Sequence, residues 1–486
     1  MSTLQDLNQV LSRKQDILEN AAGVEKIKKS GKLTARERVN LLLDDGSFME
    51  QAMLQSDAGV VTGSGTVDGR PVYVVAQDFA VMDGAVGAKQ AKKIVKVLEL
   101  ARKTGTPVVL MADSNGARVG EGAAALEAYA DIFAHMARLS GVVPMIAVVA
   151  GPCVGAAAMT AQLSDIVLVA KPAGALLVAG PQVLASTMGK DLKAEDLGGG
   201  KTAVEYGAAH FACETEEEAI AQVKTLLGML PANNLEDAPL APEEDMNRLV
   251  EGLAAGADGR EVITALADTG SVVELGKGFT GAVTALGRMA GRTVAFVYTG
   301  KGDTCDKRMN KITRFVRFAD CYNIPVVSLV DSTGFELFPT IDRQMSVMKA
   351  ASALVYAYSE ATTVKVTLVI GSAVGAMYVA MGGSANADAT YAWPGAVISP
   401  MTGEAAIQVM WKDQIKASQG DAVKAREELA AKYEAEVADG VCAAAAGLVD
   451  DVIDPADSRK MVIAALELLS SKRDSNPPKK HGNMPL

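Results

Sequence analysis

Histidine is scarce in this sequence, with three in 486 residues, and the five cysteines (Cys153, Cys213, Cys305, Cys321 and Cys442) are scattered with no CxxC pair among them. Metal centres need clustered histidine and cysteine, and disulfide frameworks need spaced cysteines, so no zinc site, disulfide scaffold or other metal is expected. His135 falls in a helix-like run, His210 in an alanine-rich stretch and His481 in the tail, which gives no Ser–His–Asp or Cys–His set for nucleophilic catalysis. No GxxxxGK[ST] loop is present, so an ATP-driven step would have to occur on another chain.

Basic blocks interleaved with aromatics are also missing. Aromatics are 5% of the chain and the formal charge is −11, so no nucleic-acid partner is expected. The N-terminal MSTLQDLNQVLSRKQDIL has no continuous apolar core with a small-residue cleavage site; it reads as an amphipathic helix and not as a signal peptide, and a cytoplasmic location is expected. Residues 142–163 carry no charge and match a membrane span in length, yet Pro144, Gly151, Pro152 and Gly155 cut the run. Strand, turn and buried helix are expected there.

What the chain does have is a globular balance, 49% hydrophobic and 22% charged, at a length beyond the roughly 250–300 residues at which one core stops growing. At least two domains follow. They are copies: GRPVYVV from Gly69 recurs as GRTVAFV from Gly291, TPVVLMADS from Thr106 as IPVVSLVDS from Ile324, and PMIAVVAGPCVGA, ending near Gly155, as KVTLVIGSAVGA, ending near Gly375. The offset is about 220 residues each time, and a long-period repeat fixes the architecture before local structure is assigned. Within each copy short β-branched runs alternate with helical stretches such as 85–102 and 311–321, the pattern of α/β domains with mainly parallel sheets. The join is expected in NNLEDAPLAPEE, giving domains 1–235 and 245–486, and an acidic, alanine-rich helix is expected at about 421–437.

Each copy turns from a buried run through glycine into an apolar helix. The first amides of a helix lack intrahelical acceptors and sit at its positive end, so such a turn can hold an oxyanion. Close packing of helix on sheet explains the small residues equally well. The turns DSNGARVGEG from Asp113 and DSTGFE from Asp331 end buried strands, where α/β sheets bind ligands. They read as readily as Asx-turns or helix caps, so spacing alone makes neither Asp113, Arg118 nor Asp331 catalytic.

GKLTARERVNLLLDDGSF, VYVVAQDF, DSNGARVGEG, GPCVG, RFVRFADCYNIPVVSLVD, ADATYAWP and KKHGNMPL occur in this order over nearly the whole chain. In these segments it resembles the carboxyltransferase subunits of propionyl-CoA and acetyl-CoA carboxylases and the α subunits of methylmalonyl-CoA and glutaconyl-CoA decarboxylases. The resemblance implies two tandem crotonase-like (ClpP/crotonase) domains, acyl-CoA bound by the first and biotin by the second. It further implies a hexamer with active sites between opposed domains of two subunits. It makes the amides of Gly155 and Ala156 the oxyanion hole for the acyl-CoA and those of Ala376 and Met377 the hole for biotin. Gly116, Ala117, Gly334, Phe335, Gly375 and Tyr378 become cofactor contacts. Biotin itself serves as base in that family, in keeping with the lack of a histidine or carboxylate pair.

The sequence departs from the family at both turns, which usually read Gly-Gly and Gly-Ala, and Met377 is expected to add bulk beside the biotin ring. Val379 stands where propionyl-specific members often have aspartate and leaves acetyl-, propionyl-, butyryl- and methylmalonyl-CoA open. No biotin attachment segment is seen, Met348-Lys349 lying in a helix-like run, so a separate biotin carboxyl carrier protein is expected. With it comes either a biotin carboxylase or the membrane subunits of a decarboxylase, the latter tying the chain to a membrane. A crotonase-type hydratase or hydrolase, and a non-catalytic ring-assembly subunit, remain as alternatives.

Overall fold

The computed structural model describes residues 2–19, 21–189, 192–254, 256–337, 340–417 and 422–485, so Met1, Asp421 and Leu486 of the segments singled out above lie outside the described residues. Two compact units emerge, one of Met1–Ala238 with Gly276–Phe279, the other of Pro239–Leu275 with Thr280–Leu486. The return of Gly276–Phe279 to the first unit departs from a simple division of the chain. The Gly276 N–H donates to the His210 carbonyl at 2.9 Å, and the Phe279 ring lies against Gly207.

In the first unit the strands Met49–Gln51, Val60–Val67, Arg70–Gln77, Val108–Ser114, Met145–Val154, Ile166–Ala170 and Phe211–Cys213 lie side by side in that order, with Ala175–Leu177 also paired to Met145–Val154. The first three are antiparallel neighbours and the rest parallel. The second unit repeats the order with Val273–Leu275, Val283–Met289, Arg292–Tyr298, Val326–Ser332, Lys365–Val374, Ala389–Ala392 and Asp451–Val452; Val397–Ser399 takes the side position. Two-residue turns close the equivalent hairpins. Asp68 and Gly69, like Ala290 and Gly291, have positive φ, the conformation whose twist suits a tight hairpin.

The central strands Val108–Ser114 and Val326–Ser332 are buried along their whole length, as parallel strands covered on both faces must be. In the first unit the helices Ala88–Thr104 and Ala123–Leu139 pack on one another, as do Asp306–Cys321 and Ile341–Glu360 in the second. The helix expected at 85–102 starts later because Val86 bridges to Ala117 in extended form, and the Glu121 carboxylate accepts the Ala88 N–H at 2.8 Å. The one expected at 311–321 starts five residues earlier, at Asp306, since its first turn is polar and carries no apolar period. The acidic helix runs over Ala422–Tyr433 and continues as a π-helical turn, Glu434–Ala438.

The uncharged run 142–163 forms the strand Met145–Val154 and the helix Ala156–Gln162. That helix is only partly buried: Ala157 and Ala161 face inward while Met159 is 57% exposed. No helix among the described residues is long and apolar enough to cross a membrane.

Lys311 supplies a pH-dependent term. It sits on Asp306–Cys321 and donates to the Ala282 carbonyl at 2.9 Å, and burial pushes its ammonium from 10.5 down to about 8. A depressed folded-state value means stability that is complete above the unfolded pKa and lost as pH falls through about 8. Lys311→Met is therefore expected to gain more melting temperature over wild type at pH 7 than at pH 10.5. An equal difference at both pH values would remove the ammonium as its cause.

Candidate functional site: two matching amide turns

The strand Met145–Val154 ends at Gly155, whose φ of 59° and ψ of −119° lie where L side chains are strained, and the helix Ala156–Gln162 begins at once. Lys365–Val374 ends at Gly375 with φ 60° and ψ −128°, followed by the helix Ala376–Met381. The Gly155 N–H donates to the Leu177 carbonyl at 2.8 Å, and the Gly375 N–H donates to the Ser399 carbonyl, also at 2.8 Å. In both units the short side strand thus fixes the glycine amide.

Of the expected first pair, Gly155 and Ala156, the glycine amide is engaged within the fold. Gly155 has its hydrogen already engaged, so the amides without an acceptor at this helix start are those of Ala156, Ala157 and Ala158, of which Ala157 is buried. In the second unit they are those of Ala376, Met377 and Tyr378, in the same register. The expected bulk at Met377 is corrected. Its side chain is 0% exposed, packed inward at the position that Ala157 holds in the first unit, so it takes no space in front of the turn. Ala376 and Tyr378 are half-buried, and Val379 is 54% exposed. Tyr378 donates its hydroxyl to the Leu448 carbonyl, and Asn386 donates to the Val379 carbonyl at 2.7 Å.

The Asp-Ser turns lie beside these glycines. A β-carbon on Gly116 would come within 3.1 Å of the Val154 carbonyl oxygen, and one on Gly334 within 3.8 Å of the Val374 side chain. Serine closes both turns: Ser114 Oγ accepts the Gly116 N–H at 3.1 Å, and Ser332 Oγ accepts the Gly334 N–H at 3.3 Å. Asp113 and Asp331 are thus neither Asx-turn acceptors nor helix caps, as the bland reading had them. Ala117 packs on the first core, bridged to Val86, while Gly334 and Phe335 pair in parallel with Asp303 and Thr304.

Sequence reasoning missed the charges behind the first turn. Lys32 Nζ contacts both oxygens of Asp113 at 2.9 Å, and Arg38 reaches Asp113 at 3.0 Å and Glu216 through its Nε. All four side chains are at most 3% exposed. Lys32 also lies 3.7 Å from the centre of the Phe79 ring. Arg118 is spent on carbonyls, donating to Ala85, Asp57 and Ala58.

Among the described residues, neither Cys153, His135 nor His210 is placed for nucleophilic or general-base work. Burial, with the Asp113 charge, pushes the Cys153 thiol up to about 12, so it stays protonated. His135 meets the Asp131 carbonyl on its own helix, and His210 Nδ1 accepts the Val167 N–H at 3.0 Å on the sheet. No cluster of three His, Cys, Asp or Glu side chains fit to hold a metal ion occurs among the described residues.

Backbone amides without acceptors at the start of each of two equivalent helices, with Ala156 and Ala376 partly exposed, are groups of the kind that stabilise an enolate-like oxyanion. The family comparison agrees with that chemistry: residues 26–484 match a carboxyl transferase domain. The methylmalonyl-CoA carboxyltransferase 12S subunit of Propionibacterium freudenreichii subsp. shermanii is 39% identical, with 100% of this chain aligned to 98% of that protein. The methylmalonyl-CoA decarboxylase subunit alpha of Veillonella parvula is 38% identical over the full length of both. The crystal structure of a transcarboxylase 12S hexamer with methylmalonyl-coenzyme A and methylmalonic acid bound superposes with a TM-score of 0.92, at 38% identity over 99% of this chain and 98% of that one. The tandem crotonase-like architecture and the resemblance carried by the sequence segments are both borne out, and the chain belongs to the carboxyl transferase domain family.

Proposed function

We propose that this carboxyltransferase moves a carboxyl group between biotin on a separate carrier protein and the α-carbon of a short-chain acyl-CoA, with propionyl- and methylmalonyl-CoA as the favoured pair. The observation that carries the reading is the duplicated turn, with the first three helix amides lacking acceptors in each unit. The amides that start the helix in the first unit, foremost that of Ala156, hold the thioester oxygen as charge develops on it, and those that start it in the second, foremost that of Ala376, hold the biotin ureido oxygen. Biotin, when bound, supplies both the carboxyl group and the base for the α-proton, so the chain needs no base of its own. Orientation of two reactants is then most of its task.

Gly116, Ala117, Gly334, Phe335, Gly375 and Tyr378 line the approaches to the two turns. Val379, exposed one residue beyond Tyr378, offers an apolar contact and no charge, which suits a substrate whose acyl end is a small alkyl group. A crotonase-type hydratase or hydrolase would need a side-chain acid or base, whereas Asp113 is locked between two cations and Glu121 caps a helix. A non-catalytic assembly subunit loses its main support, since the Met377 side chain is buried. The assembly we propose is a homo-hexamer served by a biotin carboxyl carrier protein. Its further partner is a biotin carboxylase or the membrane subunits of a decarboxylase.

The test is to incubate the purified chain with free biotin and malonyl-, methylmalonyl- or glutaconyl-CoA, following biotin-dependent loss of the carboxyl group by mass spectrometry. Turnover of methylmalonyl-CoA in preference to the others is expected. No turnover on any of them, repeated with a biotinylated carrier, would sink the proposal.

A further inference from the structure

Both units break the pairing of their two central strands at one place. Ala112 faces Val149 but Ser114 faces Cys153; Val330 faces Val369 but Ser332 faces Ala373. The second strand of each pair therefore bulges opposite an aspartate, Asp113 or Asp331, a few residues before the amide turn. The bulge is shaped around the carboxylate. A β-carbon on Gly151 would lie 1.9 Å from Asp113 Oδ1, and one on Gly371 would lie 2.2 Å from Asp331 Oδ1, so only glycine leaves room.

Each aspartate is itself held from the neighbouring strand, its N–H donating to Gln77 Oε1 at 3.1 Å or to Thr299 Oγ1 at 2.9 Å. From there the two copies grip the bulge differently. Asp331 Oδ1 takes the Ser372 N–H directly, at 3.1 Å. Asp113 is clamped by Lys32 and Arg38, and Arg38 reaches on toward the Ala150 carbonyl at 3.5 Å.

We infer that Asp113 and Asp331 are positioning residues, one for each amide turn, that act by setting the bulge and hence the direction in which the strand delivers its free amides. The inference rests on the carboxyltransferase reading and deepens it: Asp113 governs the acyl-CoA half and Asp331 the biotin half. Neither carboxylate touches substrate, and neither exchanges a proton with it.

Steady-state kinetics with free biotin and the preferred acyl-CoA, each varied in turn, test this on the full chain. Asp113→Asn is expected to lower kcat about tenfold or more with both KM values within about twofold, as a donor mis-aimed in the transition state does; it should add little to the loss from Ala156→Pro but add in full to that from Ala376→Pro, and Asp331→Asn is expected to do the reverse. Gly151→Ala and Gly371→Ala, which push the carboxylates out, should reproduce the same crossed pattern. Should Asp113→Asn leave Lys32 and Arg38 too poorly compensated to fold, the Asp331 and Gly371 variants still decide, because no cation is paired with Asp331 among the described residues. If Asp113→Asn lowered kcat as much on top of Ala156→Pro as it does alone, or Asp331→Asn on top of Ala376→Pro, the carboxylate would act apart from its amide turn, and the inference would be overturned. A wild type without turnover would instead overturn the reading beneath it, and this inference with it.

Discussion

Replacing Ala156 by proline is expected to lower kcat by about 10²–10³-fold, the usual loss on removing one oxyanion donor, while the protein stays folded. Proline removes the N–H and nothing else that this position uses. Ala156 is the first residue of its helix, where proline's fixed φ is favourable and the missing hydrogen has no intrahelical acceptor to disappoint. Gly155 at ψ −119° stays clear of the α region that proline forbids its predecessor. Ala376→Pro tests the other turn by the same logic and should cost as much. Ala156→Gly, which keeps the donor, should stay near the wild-type rate. If proline at either site changed kcat less than threefold, that turn would not stabilise charge in the transition state.

The experiment also separates what the sequence made legible from what it did not. Two glycine turns at matching places could be read from the letters, because the repeat survives there nearly unchanged. Which amides are free could not. That depends on Leu177 and Ser399, whose carbonyls arrive on short side strands with no signal in the preceding motif. The orientation of Met377 was equally hidden, since a residue at the start of a helix can face either way until the helix is docked on its sheet.

Other parts of the repeat went unread because the chemistry recurs while the letters change. Thr34 and Asp258 both cap the helix that precedes the first strand of their unit. The pairs Arg36–Glu50 and Arg260–Glu274 match, and Asp44 and Asp268 both accept the two amides of a hairpin turn, at 2.8–3.1 Å. The motif GKLTARER stood out in the sequence only as part of a resemblance. Its physical content is Lys32 and Arg38, whose partners Asp113 and Glu216 are too far along the chain for any local pattern to connect. At the position matching Arg38 the second unit has Val262, and there Asp331 relies on backbone instead.

That cluster sets the second large effect. Arg38→Met is expected to lower the unfolding free energy by about 3–5 kcal/mol, the cost of deleting one partner from a buried ion group. Arg38 is 1% exposed and serves two carboxylates; without it Asp113 keeps Lys32, but Glu216 keeps only the Leu33 N–H at 3.1 Å. The loss comes from the stranded charge more than from the missing attraction. Adding Glu216→Gln to Arg38→Met should therefore restore part of the stability, which a simple sum of two damaging changes would not. Calorimetry or far-UV circular dichroism is the readout, because both tryptophans, Trp393 and Trp411, belong to the second unit and report on it alone. A loss below about 1 kcal/mol would place the cluster among solvent-screened pairs and mean that water reaches Glu216 as soon as the arginine is gone.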